Sequence, residues 1–175
     1  MYTLEEIKIA NATSRGRGAS VFKEDGTIRA VVPRYVAEHI NKDDTILDFG
    51  AGKEAVHTKY LREEGFNVMA YEFGNNVVEG VHDKDALSKQ YKVIMASNVL
   101  NVQSSERMLT ETVWQIYSCL EPGGKFIANY PQTPRKTDLN ADDVRYIIQG
   151  IFQSVPQRVG GTSSAPIWEI RKYLN

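Results

Sequence analysis

The sequence predicts an α/β fold: a mostly parallel sheet with helices on both faces, ending in an antiparallel hairpin. Three observations carry this. Short apolar runs of strand length alternate with stretches of helical periodicity. Glycine and proline stand at the joints between them. The last two strand-like runs are separated by Gly160-Gly161-Thr162-Ser163-Ser164, a turn-forming stretch that reads as a hairpin. Strand–helix–strand alternation implies right-handed crossovers and therefore parallel pairing.

Residues 1–32 read as an N-terminal arm or lid. They hold Arg15, Arg17 and Lys23 among glycines, and the turn Glu24-Asp25-Gly26. A single domain is expected over 33–175. Its first helix starts near Pro33, a residue suited to a first helical turn, with Val36 and Ile40 on the buried side. Thr45-Ile46-Leu47-Asp48-Phe49 reads as a buried strand, and about Glu54 to Glu64 as a helix stopped by Gly65. Asn67–Glu72 is a second strand. A short third strand is expected near Val81, and Tyr91–Ala96 makes a fourth. Leu109, Val113, Ile116 and Leu120 have helical spacing. Pro122-Gly123-Gly124 then turns the chain into a fifth strand over Lys125–Tyr130. Asn140 can cap a helix whose face is Val144, Ile147, Ile148, Ile151 and Phe152. The hairpin strands are expected at about Ser154–Val159 and Ile167–Leu174.

The bulk numbers bound the function. A chain of 175 residues with 42% hydrophobic residues can bury one core. Lys plus Arg is 21 against Asp plus Glu 22, so the net charge of -1 gives no general reason to bind nucleic acid or an anionic membrane. The only cysteine, Cys119, cannot form an intramolecular disulfide, which suits a reducing compartment. No apolar run resembles a signal peptide or a membrane span. A cytoplasmic location is expected. The three histidines and Cys119 show no metal-ligand spacing, so no metal site is expected.

Ligands of open parallel sheets bind beyond the carboxyl ends of the strands. Asp48-Phe49-Gly50-Ala51-Gly52 follows the first strand. Its glycines let a ligand approach the backbone, and the next helix offers free N–H groups to an anion. Asp48 can engage an ammonium group, directly or through water. An unliganded tight turn is the plainer reading of Gly-x-Gly alone. Glu72 ends the second strand, where a carboxylate can bind both ribose hydroxyls; a solvated charge is the alternative. Phe73 can lie against an adenine. Asp85 can accept from an adenine amino group and the Ala86 N–H can donate to a ring nitrogen, although Asp85 also reads as a helix cap.

These positions together resemble the class I S-adenosylmethionine-dependent methyltransferases. Ile46–Gly52 is similar to that family's first motif, Glu72 to its acid after the second strand and Asp85-Ala86-Leu87 to its adenine-contacting segment. Leu120-Glu121-Pro122-Gly123-Gly124 is similar to the turn before its fifth strand. Glu54 stands where a third glycine is common, and the stretch from Glu72 to Asp85 is short for the family. The resemblance implies a Rossmann-like three-layer fold and S-adenosyl-L-methionine as cofactor. Asp48, Gly50, Ala51, Gly52, Glu72, Phe73, Asp85, Ala86 and Ser97 would bind it. The segment after the fourth strand would face the methyl group, so Asn98 can hold an acceptor amine or hydroxyl through its amide; a loop residue bonding nearby backbone is the alternative. Tyr130 is a second candidate on the pocket wall.

Gly50-Ala51-Gly52-Lys53-Glu54-Ala55 also fits the dinucleotide fingerprint, which keeps an NAD-binding oxidoreductase as a rival. The acid two residues before the first glycine suits an ammonium-bearing ligand better, and little chain remains for a hydride-acceptor domain. A small methyl acceptor is favoured because no recognition domain is present. Nucleic-acid methylation through the basic arm and a non-catalytic S-adenosylmethionine-binding protein are the other readings. Cys119, Trp114 and Trp168 are expected to pack, while His57 and His82 stand isolated in the sequence.

Overall fold

The central strands are apolar on both faces, and each face meets its own helices. A computed structural model describes residues 2–14, 21–130 and 138–174. Its strands are β1 (Thr45–Phe49), β2 (Asn67–Tyr71), β3 (Tyr91–Ala96), β4 (Leu120–Asn129), β5 (Gln157–Gly161) and β6 (Pro166–Arg171). Its helices are α1 (Leu4–Ser14), α2 (Val31–His39), α3 (Val56–Glu63), α4 (Glu106–Cys119) and α5 (Ala141–Phe152). They form one sheet in the order β2-β1-β3-β4-β6-β5. β1 to β4 pair in parallel, and β6 is antiparallel to both β4 and β5.

Because side chains alternate along a strand, neighbours go to opposite cores. Ile46, Val93, Met95 and Ile127 meet Val32 and Val36 of α2 and Leu61 of α3. Leu47, Phe49, Ile94, Phe126 and Ala128 meet Leu109, Val113 and Ile116 of α4 and Val144, Ile148 and Phe152 of α5. This is the three-layer, mostly parallel arrangement that the sequence predicts, with the terminal hairpin in place. Cys119 is 3% exposed at the end of α4 and packs as expected, whereas Trp114 is 50% exposed.

Two elements differ from expectation. The short strand near Val81 does not form. Two 3-10 turns, Gly74–Asn76 and Ala86–Ser88, span that stretch, and one bond, from Asp83 N–H to Ala70 O at 2.9 Å, ties it to the sheet edge. Too few residues separate Glu72 from Tyr91 to hold both a strand and a crossover helix of the usual length. The strand over Tyr91–Ala96 is therefore the third and not the fourth.

The second difference is α1, read from sequence only as part of an arm. A cap fixes its start: Thr3 Oγ1 accepts from Glu6 N–H while Glu6 Oε2 accepts from Thr3 N–H. Ala10 packs with Phe73, Val102 and Met108, and Ile7 lies against the same cluster. Arg107 pairs with Glu6 and clamps the helix to α4. α1 therefore sits across the carboxyl edge of the sheet.

Among the described residues, no helix is long and apolar enough to cross a membrane. The Pro-Gly-Gly turn lies inside the first half of β4. A Cβ on Gly124 would stand 2.9 Å from Glu121 O, 3.0 Å from Lys92 O and 3.1 Å from Tyr91 O. Backbone cannot yield as a flexible side chain can. Gly124→Ala is expected to lower stability by roughly 2 kcal/mol in urea unfolding, and an unchanged midpoint would show that the strand crossing is looser than described.

Candidate functional site

The strand order places a topological switch point between β1 and β3. From β1 the chain moves outward to β2; from β3 it moves the other way. A crevice must open at their carboxyl ends. There the structure has an open cleft of about 1540 Å³, part of it solvent. Gly50, Ala51, Gly52, Glu72, Phe73, Ser97 and Asn98 line it. The enclosed part, about 610 Å³, falls within the several hundred Å³ typical of ligand pockets, so it has room for a nucleoside-sized ligand.

The glycine turn shapes one wall. Gly50 (φ 74°) and Gly52 (φ 79°) are left-handed, and Ala55, just before α3, shares that conformation at φ 46°. A Cβ on Gly50 would come 2.7 Å from Val99 Cγ2. The turn thus needs glycine at 50 both for its backbone and for the approach of the β3 exit.

Glu72 holds the turn. Its Oε2 accepts from Gly52 N–H at 2.7 Å, and its Oε1 accepts from Phe73 N–H at 2.9 Å. Each oxygen keeps a lone pair. Burial raises its pKa, against the two backbone bonds and nearby His82, which lower it. His82 holds the other side of Gly52. Its Nδ1 accepts from Val78 N–H at 2.9 Å, so Nε2 carries the proton and donates to Gly52 O at 2.7 Å.

Asp48 lies behind the wall rather than on it. It is 1% exposed, and its Oδ2 accepts from Thr58 Oγ1 of α3 at 2.8 Å. Burial pushes its pKa up to about 7, and the Glu72 carboxylate adds to the rise. The sequence places Asp48 at the turn, and the structure puts it beneath, off the cleft wall.

At the opposite wall, β3 runs out into Ser97 and Asn98. Ser97 Oγ is buried and has no hydrogen-bond partner among the described residues. Asn98 is left-handed at φ 57°, a conformation asparagine tolerates better than most residues. Its N–H donates to Asn129 Oδ1 at 2.8 Å, and its Oδ1 accepts from Asn129 Nδ2 at 2.7 Å. Asn129, 4% exposed at the end of β4, therefore fixes both the backbone and the side chain of Asn98.

Three expected contacts do not reach this cleft. Asp85 is exposed beside the second 3-10 turn, on the way down to the start of β3. Ala86 is fully buried, and its N–H already donates to Asp83 O at 3.3 Å. Both were assigned to a third strand end, and without that strand the segment leaves the carboxyl edge. Tyr130 is 2% exposed, and its hydroxyl donates to Leu139 O at 2.8 Å. It lines a smaller apolar cavity with Phe126, Val144 and Trp168 instead.

Other wall residues were not foreseen. Ala10 and Asn11 come from α1, Val21 and Arg29 from the segment before α2, and His57 from the start of α3. Burial lowers the His57 pKa. The Thr3-x-x-Glu6 cap was the signal that could have found the α1 residues. Arg15 and Arg17 lie outside the described residues; Lys23 is exposed and off the wall. Among the described residues, no group of three His, Cys, Asp or Glu could hold a metal.

Residues 22–158 match the methyltransferase-domain family. This chain belongs to it. That membership decides against the dinucleotide reading of the glycine turn. No curated protein matches the chain by sequence. Among solved structures, it is similar to a TehB-like SAM-dependent methyltransferase from Corynebacterium glutamicum, with TM-score 0.61 and 16% identity over 80% of this chain and 86% of that one. It is also similar to the 1,6-didemethyltoxoflavin-N1-methyltransferase of Burkholderia thailandensis, with TM-score 0.57 and 17% identity over 81% of this chain and 76% of that one. A possible exported protein from Bordetella parapertussis aligns with 99% of the chain and 80% of its own, at TM-score 0.62 and 10% identity. At these identities the likeness is one of fold: the Rossmann-like methyltransferase fold.

Asp48 offers a test of the site in the empty protein. Its folded pKa of about 7 lies above its ordinary 3.8, so its ionisation costs stability as pH rises between those values. Asp48→Asn keeps an acceptor for Thr58 and removes the charge. The variant is expected to be more stable than the parent by on the order of 2 kcal/mol near pH 8, with no advantage near pH 4. A pH-independent difference in denaturant midpoints would contradict the assigned burial.

Proposed function

We propose that this chain transfers a methyl group from S-adenosylmethionine to a small acceptor. The observation that carries this is the glycine turn held against Glu72 at the switch point of a methyltransferase-family fold. The residues present fit the nucleoside. Glu72 retains one lone pair per oxygen, a match for two ribose hydroxyls. The Gly50–Gly52 turn leaves backbone open beneath an amino-acid end, and the Ser97 hydroxyl is buried with no partner among the described residues. Phe73 and Val102 give an apolar wall for a base. The negative charges of Asp48 and Glu72 favour a cationic ligand on this side.

When bound, S-adenosylmethionine supplies a methyl group on a positively charged sulfur. The chain's part is to hold the reactants in line and to exclude water. α1 roofs the edge with Ala10 and Asn11, which supports a small acceptor over a large polymer. Asn98 stands opposite the glycine turn, where the acceptor would be held.

Calorimetry with S-adenosylmethionine and S-adenosylhomocysteine tests this reading. Micromolar binding is expected, and absence of binding at millimolar ligand would end it. Glu72→Gln gives up one acceptor oxygen and is expected to weaken affinity about tenfold or more, or roughly 1.4 kcal/mol. Burial holds the pKa values of Asp48 and Glu72 high, and a cation favours their ionised forms. Binding should therefore release protons below about pH 7 and tighten as pH rises; calorimetry in buffers of different ionisation enthalpy reads this directly.

A further inference from the structure

The Asn98–Asn129 pair fixes which atoms face the cleft. A backbone N–H can only donate, so the Asn129 atom 2.8 Å from Asn98 N is oxygen. The other terminal atom of Asn129 is then nitrogen. Its partner at 2.7 Å must be Asn98 Oδ1. One lone pair of the Asn98 carbonyl is thereby taken, and the NH2 group of Asn98, a residue of the cleft wall, has no partner among the described residues. Arg29 lines the same cleft. Its Nε donates to Phe22 O at 3.3 Å, which leaves the two terminal guanidinium nitrogens for a ligand. At Asn98 the wall therefore presents a hydrogen-bond donor, and Arg29 adds a positive charge to a cleft whose carboxylates are Glu54 and Glu72.

Donors of this kind suit one class of nucleophile. A neutral amine has a single lone pair, which must attack the methyl group; an N–H bound to it would block the reaction. The amine's own N–H groups would have to share the Asn98 carbonyl with Asn129, which already donates to it. An anionic oxygen has lone pairs to spare: one accepts from Asn98 while another attacks. We infer that the methyl acceptor is an oxygen acid, a carboxylate or a phenolate, held by Asn98 Nδ2, with Arg29 of the same cleft offsetting its charge. This rests on the S-adenosylmethionine reading of the cleft. An oxygen lone pair forms the O–CH3 bond, the CH3–S bond breaks, and its electron pair goes to sulfur. The anion and the sulfonium become an ester or ether and a thioether. No proton need be removed from an acceptor that arrives ionised.

The test uses the full 15N-labelled chain saturated with S-adenosylhomocysteine and titrated with benzoate, phenol or benzylamine. Benzoate is expected to shift the Asn98 side-chain NH2 resonances, assigned by their loss in Asn98→Asp; benzylamine is expected to leave them in place. Asn129→Asp still accepts from the Asn98 backbone but demands a donor from its side chain. The Asn98 amide must then rotate and turn its carbonyl to the cleft. Benzoate affinity should fall tenfold or more, and benzylamine affinity should rise. Asn98→Asp keeps the bond to Asn129 Nδ2 and has no N–H, so it gives the same benzoate loss and serves if the first variant fails to fold. Both variants are expected to bind S-adenosylhomocysteine like the parent. Benzylamine shifting Asn98 as strongly as benzoate, no shift from any probe, or an unchanged preference in the variants would overturn the inference. Failure of S-adenosylhomocysteine to bind the parent would instead overturn the cofactor reading beneath it.

Discussion

The cleft depends on how one residue, Gly52, is held from both sides. Its N–H donates to Glu72 and its carbonyl accepts from His82. Glu72 also caps Phe73, and His82 is itself oriented by Val78. The result is a closed set of bonds between the exit of β2 and the turn after β1. Glycine takes the left-handed region freely at Gly50 and Gly52, but Ala55 does not. This frame over-determines the turn. The opposite wall has a matching device in Asn98 and Asn129. Each wall is thus a turn held by a side chain from the neighbouring strand end.

The sheet and its helices were legible because burial writes itself into periodicity. Ile46, Leu47 and Phe49, or Ile94 and Ala96, are apolar because both faces of a central parallel strand are covered. The glycine turn, Glu72, Phe73, Ser97 and Asn98 were legible as positions because strand ends in this fold converge on one edge. What the sequence hid is pairing across distance. Asn129 looked like a strand end, and only the β3–β4 register brings it beside Asn98. His82 looked isolated because its partner, Gly52, is far away in sequence. α1 has a weak apolar face, so periodicity missed it where its cap residues would have found it.

Asp85 and Ala86 lie off the cleft wall for a different reason. Motif matching carries a residue over with the element that presents it. Here the strand that would present them is absent, and the chain runs through 3-10 turns to the far edge of the sheet. Tyr130 is off the wall through orientation: one residue beyond Asn129, it packs the other way, in the core over α5.

Asp48 carries a consequence for the life of the protein. A carboxyl sealed under the turn, bonded by the Thr58 hydroxyl, makes the empty fold less stable whenever it ionises. A bound cation relieves that burden, and ligands that prefer the native state stabilise it by mass action. Occupancy and persistence are then coupled: supply of the methyl donor would set how long each copy survives as well as how fast it turns over.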